Sequence, residues 1–66
     1  MKAYQNRVMT EAEELEKKIN ALSAFTAKET WKDVYSKEKS RMYRQLHVMS
    51  QYLDILNERI DSFDKD

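Results

Sequence analysis

No glycine and no proline occurs anywhere in this 66-residue chain, and that double absence restricts its fold more than any other feature. Glycine enters the positive-φ conformations of tight turns, and proline stops a helix. A chain with neither has little means of making short turns between strands, and nothing breaks a helical run once it has started. Helices are the expected outcome. The same absence removes phosphate-cradling loops, dinucleotide fingerprints and EF-hand loops, each of which needs a glycine where backbone meets ligand. Cysteine is missing too, so thiol chemistry, disulfides and cysteine-ligated zinc are excluded.

From Tyr4 the apolar residues fall at Val8, Ala12, Leu15, Ile19 and Leu22, a spacing that draws one stripe along a helix. Phe25 extends the stripe at its edge and predicts a first helix over residues 3–25. Glu13 with Lys17, and Glu14 with Lys18, stand four apart with the acid first, an order that supports a helix by about 0.2–0.5 kcal/mol per pair. From Met42 the series Leu46, Met49, Leu53, Leu56, Ile60 and Phe63 alternates steps of four and three. That is a heptad seam, and it predicts a coiled-coil-like second helix over residues 37–63 with Ser36 as N-cap. Met42 and Met49 on the seam are core filler.

Residues 26–36 connect the two helices. Thr30, Asp33 and Ser36 are candidate caps there, while Trp31, Val34 and Tyr35 are too apolar for a solvated loop and predict a short helical turn that plugs the hairpin end. Asp64, Lys65 and Asp66 read as a frayed terminus. The expected fold is all-α: an antiparallel two-helix hairpin with a short helical turn in the connection, one domain over residues 1–66, assembling into a homo-oligomeric helical bundle. The reason for assembly is a second apolar strip. At about 100° per residue, Val48, Tyr52 and Ile55 fall beside the heptad seam, bordered by Gln45 and Arg59. One partner helix covers only part of so wide an arc, and a chain this short with no disulfide has little core of its own. Val48, Tyr52 and Ile55 are therefore assigned to an oligomer interface; the alternative is that the Trp31 segment folds back over Tyr52 and Ile55.

Catalysis has little to work with. His47 is the sole imidazole and projects opposite the seam beside Arg44 and Gln51, as a solvated histidine does. The Glu-x-x-His spacing of di-metal bundles needs an acid where Arg44 stands. The acidic residues of Glu11 to Glu16, and Asp61, Asp64 and Asp66, read as solvated faces without a second ligand type. The expectation is a non-enzyme with no metal and no cofactor.

Binding has more support. The chain's formal charge is zero, which argues against nucleic acid as a partner of the whole surface. Between Lys28 and Arg44, however, six bases face three acids and leave +3, balanced by −3 elsewhere. Trp31, Lys32, Lys37, Lys39, Arg41, Tyr43 and Arg44 form a basic patch interleaved with aromatics at the loop end, the combination that a phosphate-bearing ligand with a stacking base requires. A rival site lies at the other end. Arg7 and Glu11 project to the edge of the first helix's stripe; Arg7 with Tyr4, and the Gln45, Tyr52 and Arg59 edge of the second helix, are assigned to an anion-binding pocket at a subunit junction. The structural alternative is an Arg7–Glu11 pair with the arginine stem lying over the core.

The run Tyr4-Gln5-Asn6-Arg7-Val8, with Glu11, Glu14-Leu15 and Ile19 through Leu22 to Phe25, and then Gln45-Leu46, Met49, Tyr52, Leu56 and Arg59-Ile60, resembles a family of small phage helical-hairpin proteins first catalogued in crAss-like phages. The resemblance spans residues 4–63 and is weakest between Thr26 and Ser40. It implies an accessory protein made in the cytoplasm of an infected bacterium. Similar small phage hairpins include anti-defence sponges, which oligomerise and trap cyclic nucleotide signals between subunits. The expected function is accordingly sequestration of an anionic cyclic nucleotide by a homo-oligomer, with Tyr4, Arg7, Gln45, Tyr52 and Arg59 as ligand contacts. The alternative is a protein-interaction module that docks the Val48, Tyr52 and Ile55 face on a host defence protein or phage protein, and a weaker one is a structural coiled-coil component. No apolar run approaches the roughly 18 residues of a membrane span, and no targeting series stands at the N-terminus.

Overall fold

The computed structural model describes residues 1–65. Its elements in chain order are helix α1 (Ala3–Phe25), a 3-10 turn (Glu29–Asp33) and helix α2 (Ser36–Ser62). The two long helices pack side by side and antiparallel in a rod of 47 × 15 × 14 Å. The expected all-α hairpin is present. Asp66, assigned with its neighbours to a frayed end, lies outside the described residues, while Phe63 to Lys65 continue from α2 as a turn.

The termini of the helices show what a chain does without glycine. No described residue has a positive φ, so neither helix ends in the left-handed cap that glycine provides. Instead α1 tightens into i→i+3 bonds. Thr26 N–H reaches Leu22 and Ser23 carbonyls, Ala27 N–H reaches Ala24, and Lys28 N–H reaches Phe25; the Thr26 hydroxyl donates to the Ser23 carbonyl at 2.6 Å. These bonds satisfy carbonyls that a helix C-terminus otherwise leaves to water. α2 ends the same way, with the Ser62 hydroxyl donating to Arg59 and Phe63 N–H to Ile60. The reversal then needs extended residues at Lys28, Val34 and Tyr35 on either side of the 3-10 turn. A glycine would allow an αα-hairpin loop of about 2–5 residues; here the chain uses Thr26 through Tyr35.

At its other end α1 is held by half of a capping box. Gln5 Oε1 accepts from Lys2 N–H at 2.9 Å, and the reciprocal half is missing because an ammonium has no acceptor. The start of α2 corrects the expected cap. Tyr35 is the N-cap, with no side-chain bond, and Ser36 is the first helical residue, so the helix runs one position earlier at both ends than the seam sets. Thr30 and Asp33 lie inside the 3-10 turn and do not cap α2. Glu38 in the first turn and Arg59 in the last do suit the helix dipole.

Val8, Ala12 and Leu15 of α1 and Leu56 of α2 form the buried core, with Ile19, Met49, Leu53, Ile60 and Phe63 packed against it. Among the described residues Leu56 alone is fully buried. Tyr4 meets Phe63 edge to face at 5.9 Å and closes the end of the rod that holds both chain termini. The Glu13–Lys17 and Glu14–Lys18 pairs do not form; the ion pairs among the described residues are Glu29–Lys32 at 3.3 Å and Glu38–Arg41 at 3.1 Å, both exposed. Exposed side chains of this length gain about as much from water as from one another. The seam packing predicts that Leu56→Ala lowers unfolding stability by about 2–5 kcal/mol, whereas Asn57→Ala, on the outer face, changes it by less than about 0.5 kcal/mol. Urea titration followed by circular dichroism distinguishes them, and similar midpoints would rule out Leu56 as the keystone.

Candidate functional site

No polar or charged residue among those described is buried, so whatever this chain binds meets it on the surface. Two depressions on that surface stand out. The larger follows the N-terminal half of α2 and is lined by Ser36, Lys39, Ser40, Tyr43, Arg44, His47 and Val48. The recurrence at three and four places these side chains on the broad outer face of one helix. The smaller is lined by Asn6, Arg7, Thr10, Glu11 and Glu14 of α1.

The larger depression is backed by an aromatic ladder. Trp31 meets Phe25 edge to face at 5.7 Å and Tyr43 at 5.4 Å. The Lys39 ammonium sits over the Trp31 ring, 5.5 Å from its centroid, a distance at which the ring's quadrupole attracts a cation. The 3-10 turn is what allows this: it lifts Trp31 out of the helical line and folds it back across the end of the hairpin. Trp31 is thus half-buried, while Tyr43 remains 52% exposed and keeps ring surface open to solvent. Of the loop-end bases, Lys32 pairs with Glu29 and Arg41 with Glu38. Lys28, Lys37, Lys39 and Arg44 have no carboxylate partner within 4.0 Å among the described residues. Their charge is therefore the source of the field at this end.

Structure and sequence agree only partly on which residues meet. Of the loop-end patch, Lys39, Tyr43 and Arg44 line one depression with Trp31 behind it. Lys32 and Arg41 are engaged in their own pairs, and Lys37 is exposed outside the lining. Ser36, Ser40 and His47 join the site without having been assigned to it. The signal that could have found them is the run of Ser36, Ser40, Arg44 and His47 at helical spacing, although each residue alone is ordinary at a surface.

The other five assigned contacts do not come together in one hairpin. Tyr4 is occupied by Phe63, although still 44% exposed. Arg7 makes no ion pair with Glu11, yet Glu11 and Glu14 share its depression and leave it a net −1, which repels an anion. Arg59 lies near the same end as Arg7, since Tyr4 sits against Phe63. Gln45 is fourteen residues before Arg59, about 21 Å along the axis at 1.5 Å per residue. Its amide donates to Met49 Sδ at 3.7 Å and so leans on the seam. Tyr52, 42% exposed, lies between them.

Val48, Tyr52 and Ile55 remain 62%, 42% and 55% exposed. The Trp31 segment packs on Phe25 and Tyr43 and not on Tyr52 or Ile55, so the fold-back alternative is not what the chain does. No helix is long and apolar enough to cross a membrane among the described residues, and no cluster of acids and histidine there has the arrangement of a metal site.

A positive field around Trp31, the chain's one tryptophan, predicts that iodide quenching, with each ion's effect taken relative to its effect on free tryptophan, is about twofold more efficient than caesium quenching in low salt. The difference should vanish in about 0.5 M sodium chloride, where the Debye length falls to a few ångströms. Equal quenching by the two ions in low salt would show that the basic side chains do not act at this ring.

A family model described as Sequestin matches residues 2–62. No curated protein and no solved structure matches the chain.

Proposed function

The chain belongs to the Sequestin family, and from that premise we propose that it is a non-enzymatic phage accessory protein that sequesters an anionic cyclic nucleotide, a signal of bacterial defence. The family name denotes sequestration, and the observation that carries the ligand class is the loop-end cluster. Lys39 rests over Trp31 beside an exposed Tyr43 ring, in a segment of net charge +3. Phosphate calls for cationic donors, and a nucleobase calls for a π-face. Both stand within one depression.

In this proposal Lys39 is the point charge for a phosphate, the Ser36 and Ser40 hydroxyls and His47 offer further donors, and Tyr43 offers the stacking surface. Arg7, which shares its depression with two carboxylates, is the weaker candidate. A site on one convex helix face surrounds a ligand on one side only, so assembly of several copies belongs to the proposal as well. Holding the ligand is sufficient for the task. A protein that lowers the free concentration of a signal needs affinity and abundance, and none of the buried acids and bases that turnover requires.

Isothermal titration against a panel of cyclic di- and oligonucleotides should find at least one ligand bound at micromolar or tighter affinity, weakening as salt rises. The ligand should be recovered chemically intact after the protein is denatured. Lys39→Gln is expected to weaken binding about tenfold or more, the scale of a lost charge-assisted hydrogen bond. Tyr43→Ala should cost about 1–3 kcal/mol from lost stacking. Absence of binding across the panel would remove the nucleotide from this proposal, and recovery of a cleaved ligand would replace sequestration with catalysis.

A further inference from the structure

Along α2 a second seam runs beside the one that meets α1. Gln45, Val48, Tyr52, Ile55 and Arg59 each stand one residue before Leu46, Met49, Leu53, Leu56 and Ile60, and so repeat the same alternation of three and four. One residue is about 100° around a helix. A helix with two seams about a right angle apart is built to touch two neighbours, as at the corner of a four-helix arrangement. α1 occupies the first seam. The second faces outward with Val48 and Ile55 more than half exposed, while the buried core among the described residues is Val8, Ala12, Leu15 and Leu56.

Charge says what fits there. In the first third of α2, Lys37, Lys39, Arg41 and Arg44 outweigh Glu38 by +3. From Asp54 to Asp64, four acids outweigh Arg59 by −3. A second copy laid parallel would set like ends together, whereas an antiparallel copy sets each positive end against a negative one. Antiparallel pairing also opposes the helix dipoles. The residues that flank the seam on one side, each one position before Gln45, Tyr52 and Arg59, are Arg44, Gln51 and Glu58. Antiparallel coiled-coil packing brings such flanking positions of the two helices opposite each other.

We propose that α2 is the two-fold seam of an antiparallel homodimer. Val48 of each copy packs against the partner's Tyr52, Gln45 packs against the partner's Ile55, and Arg44 pairs with the partner's Glu58, each contact occurring twice. The register has a consequence for binding. It places Arg59 level with the partner's Arg41, and so sets the loop end of one hairpin against the terminal end of the other. The two groups of candidate ligand contacts, kept apart by the hairpin, become neighbours across the interface. Arg41 is held by Glu38 at 3.1 Å, so this junction of two guanidiniums and one carboxylate carries +1 and attracts an anion. The dimer rests on seam spacing and charge, not on the nucleotide proposal, and either can fail alone.

The absence of cysteine makes the register directly testable. Chains carrying Gln45→Cys are mixed with chains carrying Ile55→Cys and oxidised under native conditions. The antiparallel register forms the mixed disulfide and neither self-disulfide, because identical positions lie about 15 Å apart along the axis. A parallel pair would give the two self-disulfides instead and would overturn the proposal. Light scattering of the wild-type protein should return twice the 8.0 kDa of one chain. A single-chain mass at about 100 μM, or a strip occupied only when a different protein is added, would also overturn it. Arg44→Glu and Glu58→Arg should each weaken the dimer about tenfold or more, and the double variant should restore it, since two-fold symmetry rebuilds both pairs. A double variant as weak as the singles would show that these residues do not face each other. Nucleotide titration of the same samples separates the two proposals: a correct dimer that binds nothing sinks the ligand and spares the interface.

Discussion

Leu56 is the point on which the hairpin turns. It is the one side chain among the described residues sealed completely from solvent, and Val8, Ala12 and Leu15 of the opposite helix make its surroundings. A small alanine facing a large leucine lets two helices approach closely, and the partly buried residues above and below extend that contact. Among the described residues there is no disulfide, no metal cluster and no buried polar residue, so apolar and aromatic packing is what holds the helices together. The aromatic contacts at the two ends close the rod and fix how far the helices can slide: Tyr4 on Phe63 at one, Phe25, Trp31 and Tyr43 at the other.

The loop end owes its chemistry to the way the chain turns. Lacking a residue that takes positive φ, the chain reverses through tightened helix ends, extended residues and a 3-10 turn. That longer route carries Trp31 back across the hairpin, and the ring then has Tyr43 beside it and Lys39 above it. The constraint that excludes glycine-built ligand loops thus produces a basic and aromatic surface by another means. Functional groups on such a molecule sit on convex helix faces, where one copy gives a ligand contacts from one side. Assembly is what would turn those contacts into a pocket, and the polarised charge of α2 supplies a reason for a second copy to choose one orientation.

The seams of both helices, their extents to within a residue or two, and the strip of Val48, Tyr52 and Ile55 were legible in the chain itself. Each is a matter of spacing, and spacing on a helix converts directly to direction. The basic run at the loop end was legible for the same reason. Three things were not. Ser36 looked like a cap because serine often is one, yet the backbone placed Tyr35 there. The acid-first pairs on α1 looked like ion pairs and are not formed, since exposed charges are nearly as well served by water. His47 reads as a solvated side chain by its spacing alone, whereas the fold sets it in one depression with Tyr43 and Lys39.

What the sequence determined by itself, then, is local: helices without interruption, which face of each is apolar, and where charge accumulates along the chain. Periodicity carries these because each depends on neighbours a few residues away. Only the tertiary structure decided which charges stay unpaired among the described residues, and that Trp31 turns toward Tyr43 rather than Tyr52. Those outcomes depend on how two rods lie against each other and on the path of the turn between them. A repeat of three and four residues records which way a side chain points, and says nothing of what comes to meet it.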